Sequence, residues 1–435
     1  MRPAYQSRNF ICFTVDAAVF FFAISFVDQT TVMPSLLGHL TQRPVLIGLL
    51  GSVQTGSWLL PQFLAARVVA SRHRKQPVVL VATAISRLSW AVVIVALVFY
   101  QQIGPTATLL ACYVAVGSFM FFDGVSSLAW YDLIARTISP TVRGRLFSSM
   151  SLSGGVFAVA GGLAVQRVVG NVALPFPSDY RLLAAVALAF LVVGLVPLLL
   201  IVEPPGEVPP PPERLTSYVR RLPGLVRGQP DFRRLVGVQL LVGASGLAVP
   251  FYAPFAILKL GLPESDVGGF VVGVTLGAMF GGTAWGYLGD RHRKEVAIRL
   301  LAACALLGPL VPLGLKFAAA AGLPAPVVGT ALTVAFFFVG CSIRAGWVAY
   351  ANYILEIAGE SERPVLIGLM NTLSGVLAVV PPIGGLLAGW FGYQAAFAAA
   401  LLCAAAGLAL SLRLRVAVAP TTPTVSPASV LRHDP

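Results

Sequence analysis

The chain has 435 residues, 57% hydrophobic and 11% charged, with a net charge of +13 and a mean hydropathy of +0.84. These values lie far outside the range of soluble domains and describe an integral membrane protein. The Arg and Lys stand in short segments between apolar runs, which argues against a nucleic-acid surface and for orientation in a bilayer.

The alternating apolar and polar pattern of a membrane β-barrel is absent, so helices are the spanning option that satisfies the backbone in lipid. A bilayer core needs about 20 apolar residues of helix. The sequence predicts twelve such helices: residues 10–33, 45–69, 77–100, 106–134, 146–166, 183–203, 235–258, 266–288, 297–316, 326–357, 364–390 and 394–412. The first run is longer than a signal-peptide core and has no small-residue cleavage site, so it is expected to stay as helix 1.

The N-terminus, the even-numbered connections and the tail hold 23 Arg and Lys, against 5 in the odd-numbered connections. By the positive-inside rule both termini are cytoplasmic. Residues 204–234 open Pro-rich and continue Arg-rich, which predicts a semi-rigid cytoplasmic linker with a basic piece on the anionic inner leaflet. This gives an N-terminal bundle (1–203), the linker, a C-terminal bundle (235–415) and a disordered tail (416–435).

The halves repeat one another. Arg72-His73-Arg74-Lys75 recurs as Arg291-His292-Arg293-Lys294, 219 positions later, and Ala129-Trp130-Tyr131-Asp132 aligns with Ala349-Tyr350-Ala351-Asn352 at an offset of 220. Arg43-Pro-Val-Leu-Ile-Gly-Leu49 opens helix 2 from one side, and the identical Arg363 to Leu369 opens helix 11 from the other. An inverted three-helix repeat within each half would produce that relation.

An ionisable group at mid-bilayer costs about 2.5–3.5 kcal/mol, so each one needs a reason. The candidates are Asp16 and Asp28 on helix 1, Arg87 on helix 3, Asp123 and Asp132 on helix 4, and Arg344 on helix 10. Twelve residues separate Asp16 from Asp28, about 18 Å and about 120° around a helix, so they cannot hold one small group together. Arg87 is expected to pair with Asp16, Asp28 or Asp123. Asp28 and Asp123 are the expected proton or cation carriers, and Arg344 the contact for an anionic group. Asp132 and Arg136, four apart, face each other at the cytoplasmic end, with Glu356 a cross-half partner for Arg136. Polar and aromatic companions include Gln239, Tyr252 and Asn352.

The five cysteines lie inside apolar runs without paired spacing, so no disulfide, zinc site or redox pair is implied. No His or Cys cluster could hold a metal at membrane depth, no nucleophile has an evident base, and no phosphate-binding loop is present. An enzyme is therefore not expected, nor a cofactor.

Twelve helices in two halves, a long basic central loop, and Gly286-x-x-x-Asp290-Arg291 with Arg293-Lys294 between helices 8 and 9 resemble the major facilitator superfamily. Arg143-Gly144-Arg145 and Pro381-Pro382-Ile-Gly384-Gly385 add to the likeness. The chain departs from drug-efflux members at Met120-Phe-Phe-Asp123-Gly124 and at Gly161-Gly162. The resemblance implies an all-α membrane fold of two pseudo-symmetric six-helix bundles, with helices 1, 4, 7 and 10 lining a central cavity. It implies a monomeric carrier in the cytoplasmic membrane of a prokaryote, working by alternating access on a small-molecule substrate. The carboxylates and aromatics point to proton-coupled efflux of an amphipathic compound. Uptake of an organic anion through Arg344, or a non-transporting sensor, are the alternatives. Asp290, Arg291, Arg293, Lys294 and Arg363 are expected to form the cytoplasmic gate, because a carboxylate ending helix 8 can accept from the N-terminus of helix 11.

Overall fold

Proline sets many of the helix starts. Pro44, Pro140 and Pro230 each open a helix, where the missing N–H has no intrahelical acceptor to lose and φ is already helical. In the computed structural model of the chain, residues 5–70, 72–204, 229–291, 294–357 and 363–414 are described. The predicted linker and tail fall largely outside them.

The helices are helix 1 (Tyr5–Ser25), helix 2 (Pro44–Ala70), helix 3 (Gln76–Val98), helix 4 (Tyr100–Thr137, broken near its start at Gly104, where φ is +75°), helix 5 (Pro140–Val168) and helix 6 (Ser178–Leu199) in the first half. The second half holds helix 7 (Pro230–Leu258), helix 8 (Asp266–Arg291), helix 9 (Lys294–Ala320), helix 10 (Ala325–Val339 continuing through Gly346–Ile357), helix 11 (Arg363–Ser374 continuing through Val380–Phe391) and helix 12 (Tyr393–Ser411). Eleven of these are long and apolar enough to cross a membrane by themselves among the described residues, and helix 2, at 27 residues, completes the twelve. No strand occurs among the described residues. An even number of crossings leaves both chain ends on one face, called the terminus face below.

One boundary and one helix interior differ from expectation for physical reasons. Helix 1 ends at Ser25, not at residue 33, and a short helix, Val32–Leu40, follows on the far face. Asp28 holds the break in place: its Oδ1 accepts from the Thr30 N–H at 2.9 Å, the Thr30 hydroxyl at 2.6 Å and the Thr31 hydroxyl at 3.0 Å. A side chain bonding its own neighbours offers the backbone an alternative to the helical ladder. Helix 10 contains a π-helical turn, Gly340–Arg344, which rotates every later side chain relative to the straight register.

The halves meet at the far face through helix 2 against helix 11 and helix 5 against helix 8. Glycine makes the first contact possible, since a Cβ on Gly385 would stand 2.5 Å from the Val45 Cα. At the second, a Cβ on Gly162 would stand 2.9 Å from Val272. Close crossings of small residues are how apolar helices gain packing where lipid supplies no hydrophobic driving force. His39 of the first half lies 3.3 Å from the Glu264 carboxylate of the second, adding a polar contact at the same face.

Candidate functional site

Below the far-face contacts, the halves enclose a cavity of about 540 Å³. Its walls come from helices 2, 7, 10 and 11, with Gln29 and Thr30 from the break after helix 1 forming part of the roof. This corrects the expectation that helices 1, 4, 7 and 10 line it. Helix 4 contributes no described lining residue, and helix 1 reaches the cavity only through the two residues exposed by the Asp28 break.

One charged side chain is among the described lining residues, Arg344. The π turn ends on this residue. Its Nη2 donates to Asp28 Oδ2 at 2.5 Å and to the Thr30 hydroxyl at 3.2 Å. This ion pair joins the two halves across 316 positions of sequence, with the carboxylate 5% and the guanidinium side chain 35% exposed. Asp28 and Arg344, singled out separately from the sequence as carrier and anion contact, are thus partners.

The rest of the wall mixes apolar surface with neutral hydrogen-bonding groups. Gln54, Thr55 and Trp58 project from helix 2, Asn371 and Ser374 from helix 11, and Trp347 and Tyr350 from helix 10. Gln239 also lines the cavity and donates to the Ser374 hydroxyl at 2.7 Å. Two buried polar atoms at this wall have no partner among the described residues, the amide nitrogen of Gln29 and the hydroxyl of Tyr350. Both can donate to a bound molecule, and an unpaired buried polar group costs about 1–3 kcal/mol when nothing takes it up.

Reasoning from charge missed helix 2 and helix 11. The available signal was Gln54 and Trp58 at spacing i, i+4 on an otherwise apolar helix, which places them on one face.

Asp16 and Arg87 lie outside the cavity. Arg87 donates to Asp16 Oδ1 at 2.8 Å and to the Leu191 carbonyl at 2.8 Å, and both residues are buried inside the first half between helices 1, 3 and 6. Of the three pairings the sequence allowed for Arg87, the structure forms the one with Asp16. Tyr252 is fully buried among Phe336 and Phe397, so its ring is a core element of the second half rather than part of the wall. Asn352 does not line the cavity either. It follows the π turn, and it sits two residues beyond Tyr350 toward the terminus face. Asp123, half-buried, lies beside Trp58, which itself lines the cavity, and is not itself among the lining residues.

At the terminus face the described ion pairs stay within one half. Arg136 pairs with Asp132 at 3.2 Å and reaches Glu203 at 3.8 Å, while Lys75 lies 3.4 Å from Asp132. Glu203 also accepts from the backbone N–H groups of Lys75 and Gln76 at 2.8–2.9 Å, capping helix 3. In the second half Lys294 pairs with Glu356. The expected Arg136 to Glu356 contact is therefore not formed, because each has a partner in its own bundle. Lys75 and Lys294, matching positions of the repeat, reach carboxylates on helices 4 and 10 respectively. The side chains of Asp290, Arg291 and Arg363, and all of Arg293, lie outside the described residues.

A family model described as Major Facilitator Superfamily matches residues 15–321 and 259–434. A comparison with curated proteins finds no match. Among solved structures, the fold is similar to a mutant form of the nucleoside transporter NupG, with TM-score 0.69 and 13% identity over 93% of this chain and 98% of that one. It is also similar to a bacterial homologue of the iron transporter ferroportin in an inward-facing state, with TM-score 0.69 and 13% identity over 93% and 99%. A bacterial homologue of the human lysosomal transporter Spinster, inward-facing and occupied, gives TM-score 0.67 and 15% identity over 95% and 98%. At these identities the likeness carries the fold. With the whole-length family match, two six-helix bundles and a cavity between them, the chain belongs to the major facilitator superfamily and is a multi-pass membrane transporter.

Proposed function

We propose that this protein is a proton-coupled secondary transporter of a small amphipathic organic solute, working by alternating access. The observation that carries the reading is the Asp28–Arg344 ion pair, which ties one bundle to the other at the roof of the cavity. In this state the bundles are drawn together at the far face and their described terminus-face ion pairs are internal to each half. The Arg and Lys distribution supports a cytoplasmic terminus face, so the cavity is assigned to the cytoplasmic side.

Opening the far face requires Asp28 and Arg344 to separate. A carboxylate as buried as Asp28 cannot be left charged and unpaired without a cost of several kcal/mol. Protonation removes that cost, which couples proton binding to the rocking of the halves. The proton sits on a residue behind the wall and the solute in the cavity in front of it, so both can be aboard at once. That arrangement favours symport.

A second reading keeps the efflux expectation. It rests on Asp123, a carboxylate beside the wall residue Trp58, which would serve as a separate proton carrier. Flux in proteoliposomes under an imposed pH gradient separates the two. Loss of gradient-driven accumulation in D28N with D123N unaffected supports the first reading, and the reverse pattern supports the second.

A further inference from the structure

We infer that the solute is an organic carboxylate, and that its carboxylate replaces Asp28 on the Arg344 guanidinium while Asp28 receives a proton at Oδ2. The inference rests on the alternating-access reading and adds to it the solute's chemical class and a fixed proton stoichiometry.

The two oxygens of Asp28 are held unequally. Oδ1 accepts three hydrogen bonds from Thr30 and Thr31, none of which crosses between the halves. Oδ2 is held by Arg344. If Arg344 leaves, Oδ1 keeps its partners and Oδ2 becomes a bare anionic oxygen in a buried site. The proton therefore goes to Oδ2, and the resulting O–H can still donate to whatever stands near Arg344.

Arg344 is held equally one-sidedly, but from the other direction. Only Nη2 has protein acceptors among the described residues, namely Asp28 and Thr30. Nε and Nη1 have none there, on a residue that lines the cavity. Guanidinium donors in a fixed fork match a carboxylate through two parallel bonds, which a single oxygen of Asp28 does not supply. A carboxylate arriving from the cavity meets the unused side of the fork and gains a geometry the resident partner lacks.

The other unpaired groups point to the same chemistry. The Gln29 amide nitrogen and the Tyr350 hydroxyl are buried donors without partners, and no carboxylate is among the described lining residues. A wall whose one charge is a cation, with unpaired buried donors near it and no carboxylate among its described residues, selects an acceptor-rich anion over a cation. Leu50, Val242, Ile343, Leu377 and the rings of Trp58 and Trp347 are among the apolar part of the wall and suit a hydrocarbon or aromatic body.

The exchange balances. A carboxylate and a proton enter, the Arg344 to Asp28 pair becomes an Arg344 to solute pair, and Asp28 becomes a neutral acid through one new O–H bond. The charge of the site is zero before and after, so the cycle moves one anion with one proton and no net charge. The anion is then itself the agent that loosens the link between the halves.

The test uses full-length protein in detergent, with benzoate, indole-3-acetate and octanoate each titrated against its own primary amide. Calorimetry in two buffers of different ionisation enthalpy gives both affinity and protons taken up. At least one acid is expected to bind at least tenfold more tightly than its amide, with about one proton taken up per molecule bound. D28N should keep the preference for the acid and lose the proton uptake. R344Q should lose the preference, while R344K, which keeps the charge without the fork, should bind the acid more weakly and still prefer it. Acids and amides bound equally, acids bound without proton uptake, or no acid bound each overturn the inference. An amide that binds and accumulates in proteoliposomes would leave alternating access standing and remove only the anion.

Discussion

Asp28 and Arg344, one in the break after the first helix and the other at the end of a π turn in the tenth, form a 2.5 Å hydrogen-bonded ion pair across the interface of the two bundles. Removing one partner leaves the other without compensation. For fully buried pairs that loss is about 3–5 kcal/mol, and with the Arg344 side chain 35% exposed we expect about 2 kcal/mol. D28A and R344A should each lower thermal stability by that amount in the far-face-closed state. D28N with R344Q together should cost less than the sum of the single changes, because neither charge is then orphaned. A thermal-denaturation double-mutant cycle measures the coupling.

The Asp16–Arg87 pair should behave differently. It is buried in the first half, away from the cavity, and bonded to the Leu191 carbonyl as well. R87A is expected to cost about 3–5 kcal/mol of stability, since an ionised Asp16 would be stranded. D16N should cost less, leaving Arg87 two carbonyl-type acceptors. Solute binding to the remaining folded protein, measured per folded molecule, should match the wild type in both variants.

Glu203 closes the first bundle at the terminus face by capping helix 3 and reaching Arg136. Losing a charge-assisted cap typically costs about 1–2 kcal/mol. E203Q should therefore be milder than E203A, and amide hydrogen exchange at Lys75 and Gln76 should rise in both. By contrast, E356Q breaks an exposed pair with Lys294 and should change stability by less than about 1 kcal/mol.

The far-face contact depends on a residue without a side chain. G385V places atoms where Val45 and Pro44 now stand and should prevent helices 2 and 11 from closing. Labelling of a cysteine introduced at Gln54 by a membrane-impermeant thiol reagent added from the far side should rise at least several-fold in G385V over the same variant with Gly385.

Much of this architecture was legible in the residues. Apolar runs set the helix count, the 219-residue echo set the two halves, and the cost of buried charge singled out all four members of the two intramembrane ion pairs. What was not legible has a common cause. Neutral hydrogen-bonding side chains such as Gln54, Asn371 and Ser374 carry a much smaller insertion cost than a charge, so they did not stand out, although they form much of the wall. The π turn at Gly340–Arg344 leaves no mark on hydrophobic periodicity, yet it sets the direction of every later side chain on helix 10. Asp28 looked like a charge within a helix. It stands instead in the break that follows the helix, with its Oδ1 held by Thr30 and Thr31.

The most direct measurement is the distance between spin labels at V172C and L323C, two exposed far-face positions on opposite halves, in a background lacking the five native cysteines. Double electron–electron resonance on this protein should show a dominant short distance. A longer population should grow when D28N removes the charge that holds Arg344. A single distance distribution, unchanged by D28N and by pH, would contradict the account that the halves rock about this ion pair.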